Sequence, residues 1–279
     1  MKKILVTGAG GYIGRHVVKW LLDHDQHVIA ADFNKKGIDA RAEFTDEPIF
    51  GQADVYDRLG RPDVLIHMAW RDGFIHNSNA HMADLSNHVE FLRHMMDAGL
   101  PVVTVMGSMH EVGYWEGAID ENTPCNPMSQ YGIAKNALRQ WLMLYAKNKD
   151  TVAHWLRAYY IYGDDAHGSS IFAKLVQAEA DGKKTFPFTT GKNKFDFIHV
   201  DELAKQIGCA SLQTQISGIT NVCTGKPVSL GEQVEKYIKD HGFQIKLEYG
   251  AFPDRPYDSP GVWGNAEKIE KIMEESEQG

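Results

Sequence analysis

Two side chains capable of proton transfer stand four residues apart near the middle of the chain. Tyr131 and Lys135 lie in the segment NPMSQYGIAKNALRQWLMLYA (126–146), whose pattern predicts a helix, so both project from one helix face. A phenol with a pKa of about 10 is a poor acid or base at neutral pH. Because an ammonium group stabilises a phenolate, we expect Lys135 to lower the pKa of Tyr131 toward the working range.

A second polar cluster follows an apolar run that predicts a strand. The stretch GSMHEVGY (107–114) places Ser108, His110 and Glu111 within four residues, and each can hold or move a proton. These residue types are compatible with reduction, epimerisation or dehydration. The elements that surround the two clusters must decide between these reactions.

The start of the chain predicts a strand–helix–strand unit. KILVT (3–7) and HVIAAD (27–32) are short apolar runs typical of buried strands, and RHVVKWLLDH between them has helical apolar spacing. In the intervening glycine turn, Gly8 permits a tight turn and Gly14 lets the helix lie against the strand. Gly10 or Gly11 would let a pyrophosphate approach the backbone at the positive end of the helix.

The acid at the end of the second strand indicates which dinucleotide is bound. Asp32 lies 18 residues beyond Gly14, where an acid hydrogen-bonds a ribose 2′-hydroxyl. Because a carboxylate repels a 2′-phosphate, the sequence predicts NAD, with NADP possible through Lys35 and Lys36. The predicted cofactor-binding residues of this unit are Gly8, Gly10, Gly11, Tyr12, Ile13, Gly14 and Asp32.

Alternating strands and helices continue along the chain and predict the fold class. PDVLIHMAW (62–70) and PVVTVMGS (101–108) predict further strands, 52–57 the end of a short strand, and 81–99 a helix. We expect an α/β fold with a Rossmann-type doubly wound parallel sheet and a smaller C-terminal substrate-binding α/β lobe. Residues 1–160 would form the NAD-binding domain, with 196–224 returning to it, and 161–279 mainly the lobe. The carboxyl ends of these strands should meet in one crevice, which would be lined by Gly8, Asp32, Asp54, Met68, Ala69 and Ser108.

The composition excludes several classes of partner. The net charge is -8 and no basic run exceeds two residues, so nucleic acid and anionic membranes are excluded. The three cysteines lack metal-type spacing and predict a reducing compartment, and the absence of a signal or membrane-spanning segment predicts a cytoplasmic protein. Thirteen histidines lack the companions of a metal site, so we expect no metal.

Several motifs together resemble those of a known family. TGAGGYIG (7–14), Asp54–Val55, the strand-end Ser108, the Tyr131–Lys135 pair and DFIHVDELA (196–204) are similar to extended short-chain dehydrogenases/reductases. More narrowly, they resemble the NAD-dependent epimerase/dehydratase family that acts on nucleotide sugars. The resemblance implies that Tyr131 transfers a proton, that Lys135 binds the nicotinamide ribose and that Ser108 binds the reacting sugar oxygen. It places Asp54 and Val55 at the adenine and Met68 and Ala69 at the cofactor.

The resemblance also implies that the smaller lobe holds a nucleotide sugar. Arg255 would bind a phosphate through its planar guanidinium, and Phe172, Lys174 and Phe186 would lie near the base. The implied substrate-binding residues are Ser108, Met109, His110, Tyr160, Lys174, Phe186, Arg255 and Asp258. Two positions depart from the family pattern, since Tyr160 replaces an asparagine and Phe195 replaces a common arginine.

The stretch 107–114 departs from the family as well. Dehydratases carry S-T-D-E-V-Y-G here, whereas this chain has Met109 and His110 and keeps only Glu111. Epimerases keep a small hydroxyl residue where Met109 stands, so we expect a one-residue bulge that brings Ser108 into the crevice. The chain length is closer to that of the 4-ketoreductases of deoxysugar pathways. The resemblance therefore implies reduction of the C4 keto group of a dTDP-4-keto-6-deoxyhexose, with a C4 epimerase, a 4,6-dehydratase-like enzyme and a dinucleotide-sensing binding protein as alternatives.

Two predicted helices carry broad apolar faces. The segments 81–99 and 130–146 contain FLRHMM and WLMLY, and two such faces could form a four-helix interface. Packing against the sheet competes for the same residues. We expect a homodimer.

Overall fold

The computed structural model describes residues 1–163, 170–254 and 258–278, in which strands and helices alternate. The strands are β1 (Lys3–Thr7), β2 (His27–Ala31), β3 (Glu43–Thr45), β4 (Val64–His67), β5 (Val102–Ser108), β6 (Gly117–Ile119), β7 (Val152–Ala158), β8 (Tyr160–Tyr162), β9 (Thr185–Pro187), β10 (Lys194–His199), β11 (Gly218–Val222), β12 (Pro227–Ser229), β13 (Lys246–Glu248) and β14 (Gly261–Gly264). The helices are α1 (Gly14–Asp23), α2 (Val55–Arg58), α3 (Ala80–Ala83), α4 (Leu85–Asp97), α5 (Gln130–Ala146), α6 (Ile171–Ala180), α7 (Val200–Leu212), α8 (Leu230–Asp240) and α9 (Glu267–Gln278), and Met109–Glu111 forms a 3₁₀ turn.

The large sheet has seven parallel strands in the order β11-β7-β5-β4-β1-β2-β3. Its central strands are apolar runs that are completely buried, as expected when helices cover both faces of a parallel sheet. Apolar residues of α1 and α7 pack on one face, and those of α4 and α5 pack on the other. The predicted fold class is therefore confirmed.

The strand order reverses between β1 and β4, and this reversal defines the crevice. From β1 the chain proceeds to β2 and β3 on one side, and then to β4 and β5 on the other. Ligands bind doubly wound sheets at this point, beyond the carboxyl ends of the strands. The residues that end β1, β4 and β5 are Thr7, His67 and Ser108.

A second sheet mixes strands from both halves of the chain. Its order is β12-β10-β14-β6, with β8 also paired to β10, while β13 and β9 form a separate pair. The short strand β6 comes from the first half and pairs with β14 near the end of the chain. Conversely, β11 comes from the second half and forms an edge of the large sheet. Of the segment expected to return to the first domain, β10 lies in the second sheet, whereas α7 and β11 pack with the first.

Two predicted elements differ in the structure. The sequence predicts the end of a strand at 52–57, but α2 begins at Val55, whose side chain is fully buried, and the edge strand β3 lies earlier. The predicted helix over 81–99 is two helices, because the chain turns at Asp84 between α3 and α4. A search of the described residues for a helix long and apolar enough to cross a membrane finds none.

Candidate active site

The glycine turn after β1 has the geometry of a phosphate-binding loop. Gly8 has φ +68°, and a Cβ there would lie 2.8 Å from the backbone nitrogen of Ala69. A Cβ on Gly14 would lie 2.1 Å from the carbonyl oxygen of Gly8, so the first turn of α1 approaches the loop as only glycine permits. The first turn of a helix has backbone N–H groups without helical partners, and these suit a pyrophosphate.

The carboxylate of Asp32 lies beside the same loop. Gly10 donates its backbone N–H to Asp32 Oδ2 at 2.8 Å, and Phe33 donates to Oδ1 at 2.7 Å. These bonds fix the carboxylate at the end of β2, next to the glycine turn. The arrangement fits a dinucleotide whose pyrophosphate lies on the turn and whose ribose meets an acid.

The remaining predicted cofactor residues flank this loop or lie beyond it. The backbone N–H of Met68 donates to the Thr7 carbonyl at 3.1 Å, and that of Ala69 donates to Thr7 Oγ1 at 3.3 Å. The end of β4 therefore lies against the turn, as the crevice prediction requires. Asp54 is exposed at the start of α2, but the side chain of Val55 is completely buried in the core. Only the backbone of Val55 could reach an adenine.

Tyr131 and Lys135 occupy the first turns of α5, which begins at a capped end. The Ser129 hydroxyl accepts a hydrogen bond from the Gly132 N–H at 3.1 Å, and the Tyr131 N–H donates to the His76 carbonyl at 2.9 Å. The pKa of Tyr131 is raised to about 12, mainly because burial disfavours the phenolate, while a hydrogen bond with Ser108 acts in the opposite direction. The expectation that Lys135 lowers this pKa is wrong for this structure, in which the phenol is protonated at neutral pH.

The ammonium of Lys135 lies near the Met106 carbonyl, the Trp70 ring and the Tyr131 ring. Its Nζ donates to the Met106 carbonyl at 2.8 Å and lies 3.7 Å from the ring centroid of Trp70, but 5.8 Å from that of Tyr131. Burial lowers the pKa of Lys135 to about 7, and the Glu111 carboxylate raises it in part. The pKa of Tyr131 is nevertheless raised, because burial of the phenol is the largest effect on it.

A buried row of polar groups continues behind Trp70. The Trp70 ring stacks on His88 at 4.4 Å, and His88 Nδ1 lies 2.9 Å from His67 Nε2. The other ring nitrogen of His67 lies 2.8 Å from Thr7 Oγ1. Burial lowers the pKa of His88 to about 3, so both imidazoles are neutral and satisfy each other's hydrogen bonds.

Ser108 reaches Tyr131 without the predicted bulge. Strands β5 and β7 pair residue by residue from Val102 to Ser108, and Ser108 then caps the 3₁₀ turn. Its hydroxyl accepts from the His110 N–H at 3.3 Å and also interacts with Tyr131. The bulge prediction is therefore wrong, because the turn after the strand, rather than an extra residue within it, directs the hydroxyl.

Glu111 lies beneath the turn and faces the core. The carboxylate is completely buried and accepts hydrogen bonds from the Ser108 N–H at 3.0 Å and from Trp155 Nε1 at 2.9 Å. It also pairs with Arg139 at 3.0 Å and with Arg157 at 3.5 Å. With these partners Glu111 holds the strand end in shape, and it does not line the cavity described next.

A cavity of about 920 Å³ opens beside the start of α5, between the 3₁₀ turn and the second sheet. The predicted substrate-binding residues that line it are Met109, His110, Tyr160 and Asp258. Three predicted residues are not in its wall, since Ser108 is buried at the end of β5, Lys174 is exposed and Phe186 packs against the core, whereas Phe172 does line it. The predicted phosphate ligand Arg255 lies outside the described residues.

The two departures from the family pattern form a single contact in this cavity. The rings of Tyr160 and Phe195 lie 4.3 Å apart, and both line the wall. Two polar positions of the family thus carry an aromatic pair here. The wall is less polar at this point than the family pattern implies.

Several cavity residues were not predicted, among them His76, Asn77, Trp115, Thr189, Asn193 and Asp254. The His76 ring stacks on Tyr131 at 5.5 Å and lies 4.4 Å from the ring of His110. Burial lowers the pKa of His110 to about 4, so the imidazole beside the phenol is neutral. No spacing in the sequence joins residues 76 and 131. Only the polar run HNSN (76–79) after β4 could have indicated this loop.

Within residues 1–163, 170–254 and 258–278, no group of three or more His, Cys, Asp or Glu side chains is arranged to hold a metal ion.

Comparison with known proteins identifies relatives over almost the whole chain. A family model described as the NAD dependent epimerase/dehydratase family matches residues 4–223. A protein of Aggregatibacter actinomycetemcomitans named dTDP-6-deoxy-L-talose 4-dehydrogenase (NAD(+)) is 42% identical over 267 residues, covering 94% of this chain and 98% of the relative. A putative UDP-glucose 4-epimerase of Methanocaldococcus jannaschii is 27% identical over 263 residues, covering 88% of this chain and 85% of the relative.

Solved structures share the fold at lower identity. The UDP-N-acetylglucosamine 4-epimerase of Methanobrevibacter ruminantium, in complex with UDP-N-acetylmuramic acid, matches with a TM-score of 0.85 and 20% identity, covering 97% of this chain and 91% of that one. The UDP-glucose 4-epimerase of Thermus thermophilus, in complex with NAD, matches with a TM-score of 0.81 and 20% identity, covering 98% and 93%. At these identities the likeness establishes the fold alone.

Proposed function

The chain belongs to the NAD-dependent epimerase/dehydratase family, as its motifs predicted, and we propose that it reduces the C4 keto group of a dTDP-4-keto-6-deoxyhexose with NADH. The choice of reaction rests on the 42% identical relative, which is covered over 98% of its length, and one observation on this chain supports it. The Tyr131 phenol is protonated at neutral pH, interacts with Ser108 and lies beside a cavity large enough for a nucleotide sugar. Such a phenol is a proton donor, which is what reduction of a ketone requires.

In this proposal the side chains of the chain itself manage the proton. Tyr131 donates its phenolic proton to the oxygen that becomes negative as the ketone is reduced, and Ser108 holds the same oxygen by a hydrogen bond. The nicotinamide supplies the hydride when bound. Lys135 Nζ lies 5.8 Å from the centroid of the Tyr131 ring, and its buried ammonium would offset the negative charge of the phenolate left behind.

The glycine turn and Asp32 would hold the dinucleotide. The turn from Gly8 to Gly14 would bind the pyrophosphate, and the Asp32 carboxylate would accept hydrogen bonds from the adenosine ribose. Because that carboxylate repels a 2′-phosphate, we propose NAD as the physiological cofactor, with NADP used more weakly.

We place the sugar at the end of the cavity where His76 and His110 flank Tyr131, and the nucleotide toward Phe172 and Asn193. The two imidazoles would then contact sugar hydroxyls. The dTDP portion is proposed from the similarity to the 42% identical relative.

Dehydration and epimerisation are the competing reactions. Dehydration in this family uses a carboxylate base at the position of Glu111, but that carboxylate is buried under two arginines and an indole N–H. An epimerase would use the same phenol and cofactor, yet it would retain its dinucleotide and show no net redox change.

The test is to mix the purified protein with NADH and a dTDP-4-keto-6-deoxyhexose and to follow the nicotinamide absorbance together with the sugar products. We expect stoichiometric loss of NADH and a dTDP-6-deoxyhexose. Tyr131→Phe should bind NADH normally but lose at least about a hundredfold in turnover, the scale of general acid catalysis. Conversion of a dTDP-hexose to its C4 epimer without NADH consumption would contradict the proposal in favour of the epimerase.

We further propose that the protein is a cytoplasmic homodimer formed through α4 and α5. On α5 the side chains of Ile133 and Leu144 are 43% and 65% exposed, and Trp141 between them is partly buried. Such a face suits a symmetric four-helix interface. Light scattering should give twice the chain mass, and Leu144→Glu should give monomers. A monomeric wild-type protein at micromolar concentration would contradict the dimer.

A further inference from the structure

Trp70, the third residue after β4, contacts both members of the Tyr–Lys pair. The Nζ of Lys135 lies 3.7 Å from the centroid of the Trp70 ring. The rings of Trp70 and Tyr131 meet edge to face at 6.1 Å. One indole therefore borders the two groups that carry the charge of the proposed reaction.

The indole itself is held from two other directions. Its Nε1–H donates to His81 Nδ1 at 3.0 Å, and the other nitrogen of His81 lies 2.9 Å from the carbonyl oxygen of Ile75. Its ring stacks on His88 at 4.4 Å with an interplanar angle of 15°. The ring therefore cannot rotate without losing both contacts, and the ammonium meets a rigid aromatic surface.

The ammonium of Lys135 has little other stabilisation. The side chain is buried, and within the described residues its hydrogen bond goes to the Met106 carbonyl at 2.8 Å. A buried ammonium over a tryptophan face is stabilised by the ring quadrupole, and tryptophan provides the largest such effect.

The charged and titratable groups around Lys135 come from four elements. They are Glu111 of the 3₁₀ turn, His67 of β4, His88 of α4 and Tyr131 of α5 itself. Glu111 alone favours the protonated lysine. It is already paired with Arg139 and Arg157, so the direct contacts of the ammonium are the Met106 carbonyl and the indole ring.

We propose that Trp70 is a positioning residue that keeps Lys135 protonated and directed toward the Tyr131 side of the crevice. This inference rests on the proposed reduction for its consequence, but its physical content, a lysine held charged by an indole, can be tested without substrate.

The first test uses the fluorescence of the protein alone. A change of charge 3.7 Å from an indole alters its emission, so wild-type tryptophan emission should show a transition near neutral pH, where Lys135 titrates. The transition should disappear in both Trp70→Phe and Lys135→Met, and it should remain in Trp141→Phe, which removes an indole that stacks on Tyr145 elsewhere on α5. The transition lost in Trp70→Phe is the one assigned to Trp70, and if that transition persists in Lys135→Met it belongs to a histidine and overturns the inference.

The second test uses the pH dependence of turnover. If the ring face stabilises the ammonium, Trp70→Leu should move the basic limb of the kcat profile down by about one pH unit, and Trp70→Phe by less. KM for the sugar nucleotide should change little, because Trp70 does not line the cavity. A basic limb that stays in place in both variants would overturn the inference. An inactive wild-type protein would instead contradict the proposed function and leave the emission test to decide on Trp70.

Discussion

The buried carboxylate of Glu111 gives the sharpest separation between two interpretations of this site. In the dehydratases that the motif resembles, the equivalent residue is a catalytic base. In this protein it stabilises the end of β5 and faces away from the cavity. We predict that Glu111→Gln greatly destabilises the fold while the folded fraction keeps most of its turnover.

The magnitude follows from the partners that the substitution leaves behind. The Glu111 and Arg157 side chains are completely buried, and that of Arg139 is 14% exposed. Removing one member of a buried ion pair costs about 3–5 kcal/mol, because the remaining charge stays buried without compensation. For a chain of this size that corresponds to a fall in Tm of roughly 10 °C.

The assay is urea unfolding followed by circular dichroism, with initial rates measured at a temperature where the variant is folded. The matched control is Glu121→Gln, which removes an ion pair with Lys268 whose side chains are 50% and 27% exposed. A pair of this kind contributes about 1 kcal/mol or less. The reasoning is refuted if Glu111→Gln unfolds within about 1 kcal/mol of the wild type and yet loses turnover by more than about a hundredfold, which is the general-acid scale.

Three further predictions concern the elements around the site. Asp32→Ser should weaken NAD binding by about 10- to 100-fold, which is the scale of a hydrogen bond to a charged group. In a titration with both dinucleotides, the ratio of the NADP and NAD dissociation constants should become smaller. An unchanged ratio would contradict the role of the carboxylate. Gly107→Ala should lower the free energy of unfolding in urea by about 1–3 kcal/mol, because the new Cβ would lie 2.1 Å from Trp155 Nε1. An unchanged free energy of unfolding would show that the indole can move. The pKa of His88 is about 3 in the folded chain, so between about pH 3 and pH 6.5 the imidazole takes up a proton only in the unfolded chain. The contribution of the neutral His88 to the free energy of unfolding is therefore present at neutral pH and is lost as the pH falls from 6.5 toward 3. At about pH 5 that loss is ~2 kcal/mol, and it should be absent from the pH dependence of His88→Gln.

The parts of the site that the sequence predicted depend on local spacing. The glycine turn, Asp32 and the helix between them lie within one strand–helix–strand unit, and the family they indicated is confirmed. Tyr131 and Lys135 share a helix face because four residues complete about one turn. Such features need no knowledge of the distant chain.

The parts that the sequence did not predict depend on distant contacts or on helix phase. Phe172 and Lys174 were placed together near the base, but two residues along a helix point in nearly opposite directions, so Phe172 lies in the cavity wall and Lys174 is exposed. The pKa of Tyr131 is raised rather than lowered because the folded chain buries the phenol, and Lys135 Nζ lies over Trp70, a residue 65 positions earlier in the chain. A pairwise spacing contains no information about such burial or such a neighbour.

The exchange of β6 and β11 between the two sheets limits how this protein can be rebuilt. A fragment that ends near residue 160 would expose the edge of β7 that β11 covers and would leave β6 without β14. Neither half of the chain thus contains all the strands of its own sheet. Replacing the C-terminal half by that of a relative would pair strands that have not evolved together. New sugar specificity should therefore arise in this scaffold through substitutions in the cavity wall and its loops rather than by recombination of whole segments. On the ribosome, the substrate cavity can be completed only when nearly the entire chain has emerged.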